Sequence, residues 1–399
     1  MKKLRLFLCF AIIISCLLGF CASATEQSGP YPVAFPIFED WANAESTAAL
    51  TGNLGCKSAL LMEAGTGKVL YSDNEEEHLP IASVTKIMTT LLVAEAIDNG
   101  KIALEDPVTV SAYAASMGGS QVYLEPGEQM SVHELLKCLV VVSANDAAVA
   151  LAEHILGSAE SFVVSMNEHA SALGMENTSF TNVTGLDNGG YSCALDVALM
   201  TRELLKHPLI FDYTTIWMDT VRNGAFGLSN TNRLIRFYKG ANGMKTGFTS
   251  EAMYCVSATA KRDGMQLIAV VLGAPASDER FAAAKKMLDF GFANYRAVKP
   301  AAPELEDMPV KGGTGKSVAL EAEMPSLLTE KGAAEPQCVL KLPDSVRAPV
   351  SKGQIIGHLT VVQGETELCS IPVKAAADVP AMNFFGMLKY IWKNILSFV

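Results

Sequence analysis

The period of the apolar positions changes several times along the chain, and the changes outline an architecture. Residues 25–48 hold Pro30, Pro32 and Pro36 with little periodicity and are read as a leader. Ala59-Leu60-Leu61-Met62 and Lys68-Val69-Leu70-Tyr71 flank Gly65-Thr66-Gly67, the pattern of a β-hairpin. After Pro80 the period becomes helical: Ile87, Leu91, Leu92 and Ile97 share one stripe that stops at Asn99-Gly100. Further helices are expected through Leu135, Leu136 and Leu139, from Ala147 to Leu156, and from Asp196 to Leu205. Strands return from Met253 to Ala260 and from Met265 to Leu272 around an Asp263-Gly264 turn, and a helix follows near Arg280 to Phe292. Strands, a helical insertion and strands again predict one sheet assembled from both ends of residues 49–298, with helices against it. That is an α+β fold, an α/β-α sandwich.

A break at Lys299-Pro300-Ala301-Ala302-Pro303 precedes residues 304–377, where Cys338 to Leu342, Ile355 to Val362 and Glu367 to Val373 predict a small β-sandwich domain. Residues 380–399 return to helical spacing. Phe384, Leu388, Ile391 and Ile395 form a stripe with Phe385, Trp392 and Leu396 beside it and Lys389, Lys393 and Asn394 opposite. A packed terminal helix shares this pattern, but the aromatics on a short cationic helix favour an amphipathic anchor lying in a membrane surface. At the other end, Lys2, Lys3 and Arg5 precede an apolar run from Leu6 to Phe20 and the small residues Ala22-Ser23-Ala24, so residues 1–24 are read as a secretory signal. The run of about 15 apolar residues falls short of the ~20 that span a bilayer. The expectation is a protein secreted across the cytoplasmic membrane and held peripherally on its outer face.

Composition narrows the function. With 50% hydrophobic and 18% charged residues in a 399-residue chain, the bulk should fold around cores, in two domains by length. The net charge of -11 excludes a nucleic-acid partner, because phosphate binding needs clustered Lys and Arg. Of nine cysteines, Cys9, Cys16 and Cys21 fall in the signal; the remaining six form no C-x-x-C pair, so neither metal nor other cofactor is expected. Cys338 and Cys369 either bridge within the last domain or stay free thiols. Lys311-Gly312-Gly313-Thr314-Gly315-Lys316-Ser317 imitates a phosphate loop, but Val310 stands where the first glycine belongs.

Three short motifs carry chemistry. Ser83-Val84-Thr85-Lys86 puts a hydroxyl and an amine one turn apart where a helix begins, so the amine reaches the hydroxyl and accepts its proton once burial or positive charge depresses its pKa. Roughly one or two such S-x-x-K matches occur by chance in a chain of this length, so the motif alone decides nothing. Ser143-Ala144-Asn145 offers a hydroxyl to relay a proton and a carboxamide to hold a substrate amide or the lysine; alone it would be a helix cap. Lys245-Thr246-Gly247-Phe248-Thr249 enters a strand, where glycine admits a substrate backbone and Lys and Thr suit a carboxylate; alone it would be an ordinary edge strand. Their order, S-x-x-K, S-x-N, K-T-G, is the signature shared by penicillin-binding proteins and class A β-lactamases.

With these motifs the chain resembles the low-molecular-weight serine-type D-alanyl-D-alanine carboxypeptidases, and Pro80-Ile81-Ala82, Asp146-Ala147-Ala148 and Asn230-Thr231-Asn232 extend the likeness. The resemblance implies a β-lactamase/transpeptidase-like catalytic domain, a peptidoglycan stem peptide ending in D-Ala-D-Ala as substrate, and β-lactams as covalent inhibitors. It implies Ser83 as nucleophile, Lys86 as base, Ser143 as proton relay with Asn145 beside it, and an oxyanion hole of the Ser83 and Phe248 amides. Lys245, Thr246, Gly247, Phe248, Thr249 and Arg280 would bind substrate, Arg280 through its carboxylate. Gly189-Gly190 departs from the histidine that many relatives carry there, and Ala144 from the Asp of many S-x-N motifs. Two rivals remain: a class A-like β-lactamase, for which no E-x-x-L-N stretch supplies the water-activating Glu, and a penicillin-binding sensor that acylates without turnover.

Overall fold

The computed structural model describes Leu50, residues 54–187, residues 189–383 and Gly386; the expected signal, the leader and the tail stripe from Phe384 to Leu396 lie outside the described residues. The central sheet contains β1 (Ser58–Glu63), β2 (Val69–Asp73), β3 (Ala241–Thr249), β4 (Met253–Arg262) and β5 (Met265–Ala274), in the antiparallel order β2-β1-β5-β4-β3. It is therefore built from both ends of the domain, as the alternation of patterns requires. All six residues of β1 are buried, so both faces are covered. Leu60, Met62, Ile268, Val270 and Leu272 join the helical core, while Leu61 and Leu267 point the opposite way, the two-residue alternation of a pleated strand.

The helical side holds α1 (Lys86–Asp98), α2 (Val132–Val141), α3 (Asn145–Leu156), α4 (Ala159–Ala172) and α5 (Ala194–Leu204). The stripe expected on α1 is a fully enclosed helix instead: ten of its residues are buried, around its whole circumference, because α2, α3, α4 and α5 all pack against it. The S-x-x-K motif straddles its start, with Ser83 in a 3-10 turn over Ala82–Thr85 and Lys86 opening the α-helix. Helix α4, which the pattern did not single out, buries only the narrow stripe Ala159, Phe162, Met166 and Ala170.

On the other face lies α6 (Ser277–Asn294), which Gly291 lets close onto the sheet. A Cβ there would stand 2.5 Å from Leu267 Cδ1 and 3.2 Å from Leu61 Cδ2. Strand β6 (Tyr295–Val298) follows at once and pairs with β7 (Leu327–Glu330), and β8 (Gln337–Lys341), β9 (Ile355–Gln363) and β10 (Thr366–Ala375) form an antiparallel ladder. This sheet-rich part has two small cores of its own, one around Val310, Val350 and Val379 and one around Leu359, Val361 and Val373. The phosphate-loop imitation is a turn between the strands Met308–Lys311 and Ser317–Val318. Cys338 and Cys369 stand on either side of Val361, one on each neighbouring strand. Two strand spacings come to about 9.6 Å, beyond the ~7 Å a disulfide tolerates, and all six described cysteines are free thiols.

Gly291→Val should lower stability by about 1–3 kcal/mol, because the helix must lift or Leu267 must leave its rotamer. Urea unfolding measures it, and an unchanged midpoint would show that the helix-to-sheet spacing has slack.

Candidate active site

The site forms where the start of α1 meets the edge strand β3. Ala82 takes a left-handed backbone (φ 48), and Val84 N–H donates to Ile81 O at 3.1 Å, so the turn presents Ser83 outward. Two glycines let neighbours press onto this turn. A Cβ at Gly185 would lie 1.9 Å from Ala82 O and 2.7 Å from Thr85 Oγ1; one at Gly247 would lie 2.7 Å from Ile81 O and 3.0 Å from Ser83 N. Gly185 also has φ 72, so no other residue fits there without moving the nucleophile.

Lys86 is fully buried, and its Nζ lies 2.9 Å from Ser83 Oγ, 2.5 Å from Asn145 Oδ1 and 2.9 Å from Thr184 O. Burial first, and then the nearby charge of Lys245, hold its pKa well below the usual lysine range, against a smaller opposing pull from Asp146. A neutral amine has two N–H donors and one lone pair. The donors go to Asn145 Oδ1 and Thr184 O, which leaves the lone pair for the Ser83 proton.

Asn145, at the start of α3, is itself held on both sides. Its Nδ2 donates to Gly118 O at 2.6 Å and its backbone N–H to Ser120 O at 2.7 Å. Asp146, fully buried next to it, accepts from Val122 N at 3.0 Å and Leu124 N at 3.1 Å, tying the 118–124 loop to the helix start. Between the two helices Ser143 is forced to φ 64, a conformation that costs on the order of 1–3 kcal/mol, and its buried hydroxyl has no protein partner.

The opposite wall is β3. Lys245 is buried, donates to Thr246 O at 2.9 Å, and has its pKa brought down to about 7 by burial and then by the charge of Arg280. Thr246 Oγ1 donates to Thr231 Oγ1 at 2.8 Å, and Asn232 Nδ2 donates to Gly243 O at 2.8 Å, so the Asn230-Thr231-Asn232 stretch braces the strand. Arg280 is 7% exposed, so it lies inside the fold and not on a solvent face of its helix. Its Nη1 donates to Gly247 O at 3.0 Å and Cys255 O at 3.2 Å, pinning the peptide group whose N–H belongs to Phe248. The Phe248 ring is exposed and lies 4.4 Å from that of Tyr254. Thr249 Oγ1 accepts from Ala252 N, so it shapes the turn into β4.

Ser83, Lys86 and Asn145 are thus joined directly, Ser143 stands unpaired nearby, and Lys245, Thr246 and Gly247 face them from the strand. Residues 43–276 match the family model described as D-alanyl-D-alanine carboxypeptidase, and residues 296–381 the one described as the C-terminal domain of penicillin-binding protein 5. The chain belongs to the D-alanyl-D-alanine carboxypeptidase family. It is 47% identical over 342 residues to the D-alanyl-D-alanine carboxypeptidase DacF of Bacillus subtilis, covering 84% of this chain and 88% of that one. The penicillin-binding protein 5 of Haemophilus influenzae superposes with a TM-score of 0.73 at 32% identity, over 84% of this chain and all of that one. Penicillin-binding protein D2 of Listeria monocytogenes, solved in its ampicillin-bound form, superposes with a TM-score of 0.53 at 34% identity, over 61% of this chain and 99% of that one.

Family motifs did not reveal the 182–185 loop. Asn182 Oδ1 accepts from Thr184 N at 2.8 Å, Thr184 Oγ1 at 2.9 Å and Gly185 N at 2.6 Å, a knot that aims the Thr184 carbonyl at Lys86. The only sequence signal was Asn182-Val183-Thr184-Gly185, a turn-like stretch. Gly185→Ala should cut carboxypeptidase activity by at least about 100-fold, since a displacement near 1 Å at a nucleophile costs that much. The measurement is kcat on a D-Ala-D-Ala peptide beside the circular-dichroism melt; activity within tenfold of wild type would mean the turn yields without disturbing Ser83.

Proposed function

We propose that the protein is exported by its 1–24 segment, held at the outer face of the membrane by its 380–399 tail, and removes the terminal D-alanine of peptidoglycan stem pentapeptides through a Ser83 acyl-enzyme. The observation that carries the reading is the Lys86 amine, buried, with its pKa held well below the usual lysine range, and 2.9 Å from Ser83 Oγ. The substrate carboxylate lies on Lys245, Thr246 and Arg280. Ser83 Oγ attacks the carbonyl between the two D-alanines while Lys86 takes its proton, and the Ser83 and Phe248 amides receive the negative charge. The C–N bond breaks as Ser143 relays the proton held on Lys86 to the departing amine, which leaves Lys86 neutral again. Water then attacks the ester and gives a proton to Lys86, which returns it to Ser83 Oγ as the ester C–O bond breaks. A β-lactam has a strained amide and a carboxylate in the same relation, so it acylates Ser83 and leaves slowly; the ampicillin-bound Listeria relative supports this.

Incubated with benzylpenicillin and followed by intact mass, the wild type should gain one long-lived adduct and Ser83→Ala none. Rapid turnover would identify a β-lactamase, an adduct without D-alanine release from peptides a sensor, and an adduct on the variant would remove Ser83 as nucleophile.

The lysine pair sets the pH profile. Lys86 must be unprotonated and Lys245 protonated, so kcat/KM should rise with pH as Lys86 discharges and fall as pH passes about 7, where Lys245 loses its charge. Lys245→Arg stays cationic and should push the falling limb upward; a limb that does not move would assign it to another group.

A further inference from the structure

The 118–124 loop bears directly on Asn145. Its Gly118 and Ser120 carbonyls hold the carboxamide and the backbone of that residue, and a Cβ at Gly119 would stand 2.8 Å from Asn145 Nδ2. From the inside, Asp146 grips the loop by the Val122 and Leu124 amides. The outer grip comes from Arg222, 100 residues from Val122 in sequence. Its Nη1 donates to Val122 O at 2.8 Å and its Nη2 to Tyr123 O at 3.2 Å. The same guanidinium meets Glu128 as a fork, Nε to Oε1 at 2.8 Å and Nη2 to Oε2 at 3.0 Å. Val122 is thus clamped through both its backbone polar groups, the N–H by a carboxylate and the C=O by a guanidinium.

A hairpin, Met218–Val221 with Phe226–Ser229, puts Arg222 in place. At its turn Arg222, Asn223 and Gly224 take left-handed φ of 52, 54 and 89 in succession. Glycine and asparagine suit that conformation and arginine does not, so the turn is strained at the residue whose side chain reaches the loop. The hairpin is fixed to α2, by Asp219 on Lys137 at 2.8 Å and by Arg222 N–H on Glu134 Oε1 at 3.4 Å. Its Phe226 ring lies 5.7 Å from the guanidinium and edge-on to Tyr123 at 6.4 Å, which closes the hairpin over the loop. Resting on the mechanism proposed above, we propose that Arg222 is a positioning residue for that reaction: it sets the 118–124 loop so that Asn145 Oδ1 stays on the Lys86 amine. Its hydrogen bonds go to two glutamates and two loop carbonyls, so it acts on the chemistry through Asn145.

The test labels the wild type, Arg222→Met and Arg222→Lys with benzylpenicillin and follows intact mass for both the rate and the final extent. Release of D-alanine from Nα,Nε-diacetyl-L-lysyl-D-Ala-D-Ala gives kcat and KM. Methionine keeps an apolar stem and loses the fork; lysine keeps a charge for Glu128 but cannot also serve both carbonyls. Acylation and kcat should fall roughly ten- to a hundredfold in Arg222→Met, with every chain labelling in the end, and Arg222→Lys should fall between. Because Lys86 serves acylation and deacylation alike, KM should stay within about twofold. A residue that serves stability alone would lower the labelled fraction and leave the rate of the folded chains unchanged. That result, wild-type rates in Arg222→Met, a loss carried by KM, or failure of both variants to fold would overturn the inference while leaving the mechanism intact. A wild type that takes no label would sink the mechanism, and the inference with it.

Discussion

Taking the Lys86 amine out of water costs on the order of several kcal/mol if it keeps its charge, and this burial holds its pKa well below the usual lysine range. Even neutral, a buried amine needs partners for its donors, and the partners come from three separated parts of the chain: Ser83, Asn145 and the Thr184 carbonyl. Each partner has supports of its own. Gly118 and Ser120 hold Asn145, and Asn182 holds Thr184. The loops of the catalytic half are thus ordered by the need to satisfy one nitrogen.

Backbone approach is the second constraint, and it follows from the first. The oxygens reach Lys86 only if the 182–185 loop and β3 both lie against the Ala82–Thr85 turn, and a single Cβ at Gly185 or Gly247 would prop them apart. The helix that carries Lys86 is itself enclosed: ten residues of α1 are buried, and α2, α3, α4 and α5 surround it. Strain collects at the site for this reason, with Ala82 and Ser143 in left-handed conformations that the surrounding helices impose.

Much of this was legible in the residues. The sheet could be read because strand periods at 58–73 and 253–274 bracket helical ones, and only a sheet closed from both ends accommodates that order. Ser83, Lys86 and Asn145 could be read because side chains carry their chemistry in their names. The Thr184 carbonyl could not, since every residue has one and only its direction matters. Nor could the enclosure of α1, because an apolar stripe with threonines beside it reads the same whether those threonines meet water or, as Thr89 does, the carbonyl of Val183. The free state of Cys338 and Cys369 needed register, which places Val361 between them. Arg280 was legible as a residue and not as a contact: its hold on Gly247 O depends on α6 resting at the Gly291 distance from the sheet.

Two buried lysines share one site, and each has its charged form penalised by burial. Burial holds Lys86 well below the usual lysine range and brings Lys245 down to about 7; in the proposed mechanism Lys86 takes the serine proton and Lys245 meets the substrate carboxylate. A carboxylate docking beside Lys245 favours its ammonium form, so the incoming negative charge is met by a positive one in the same place. Lys86 then sees a nearly neutral pair and keeps its lone pair for Ser83. Had the carboxylate met no proton on Lys245, its field would have recharged the base at the moment of need. The pinned peptide between Gly247 and Phe248 lies between these two centres, and Arg280 supplies it with permanent charge that no pH change in the working range removes.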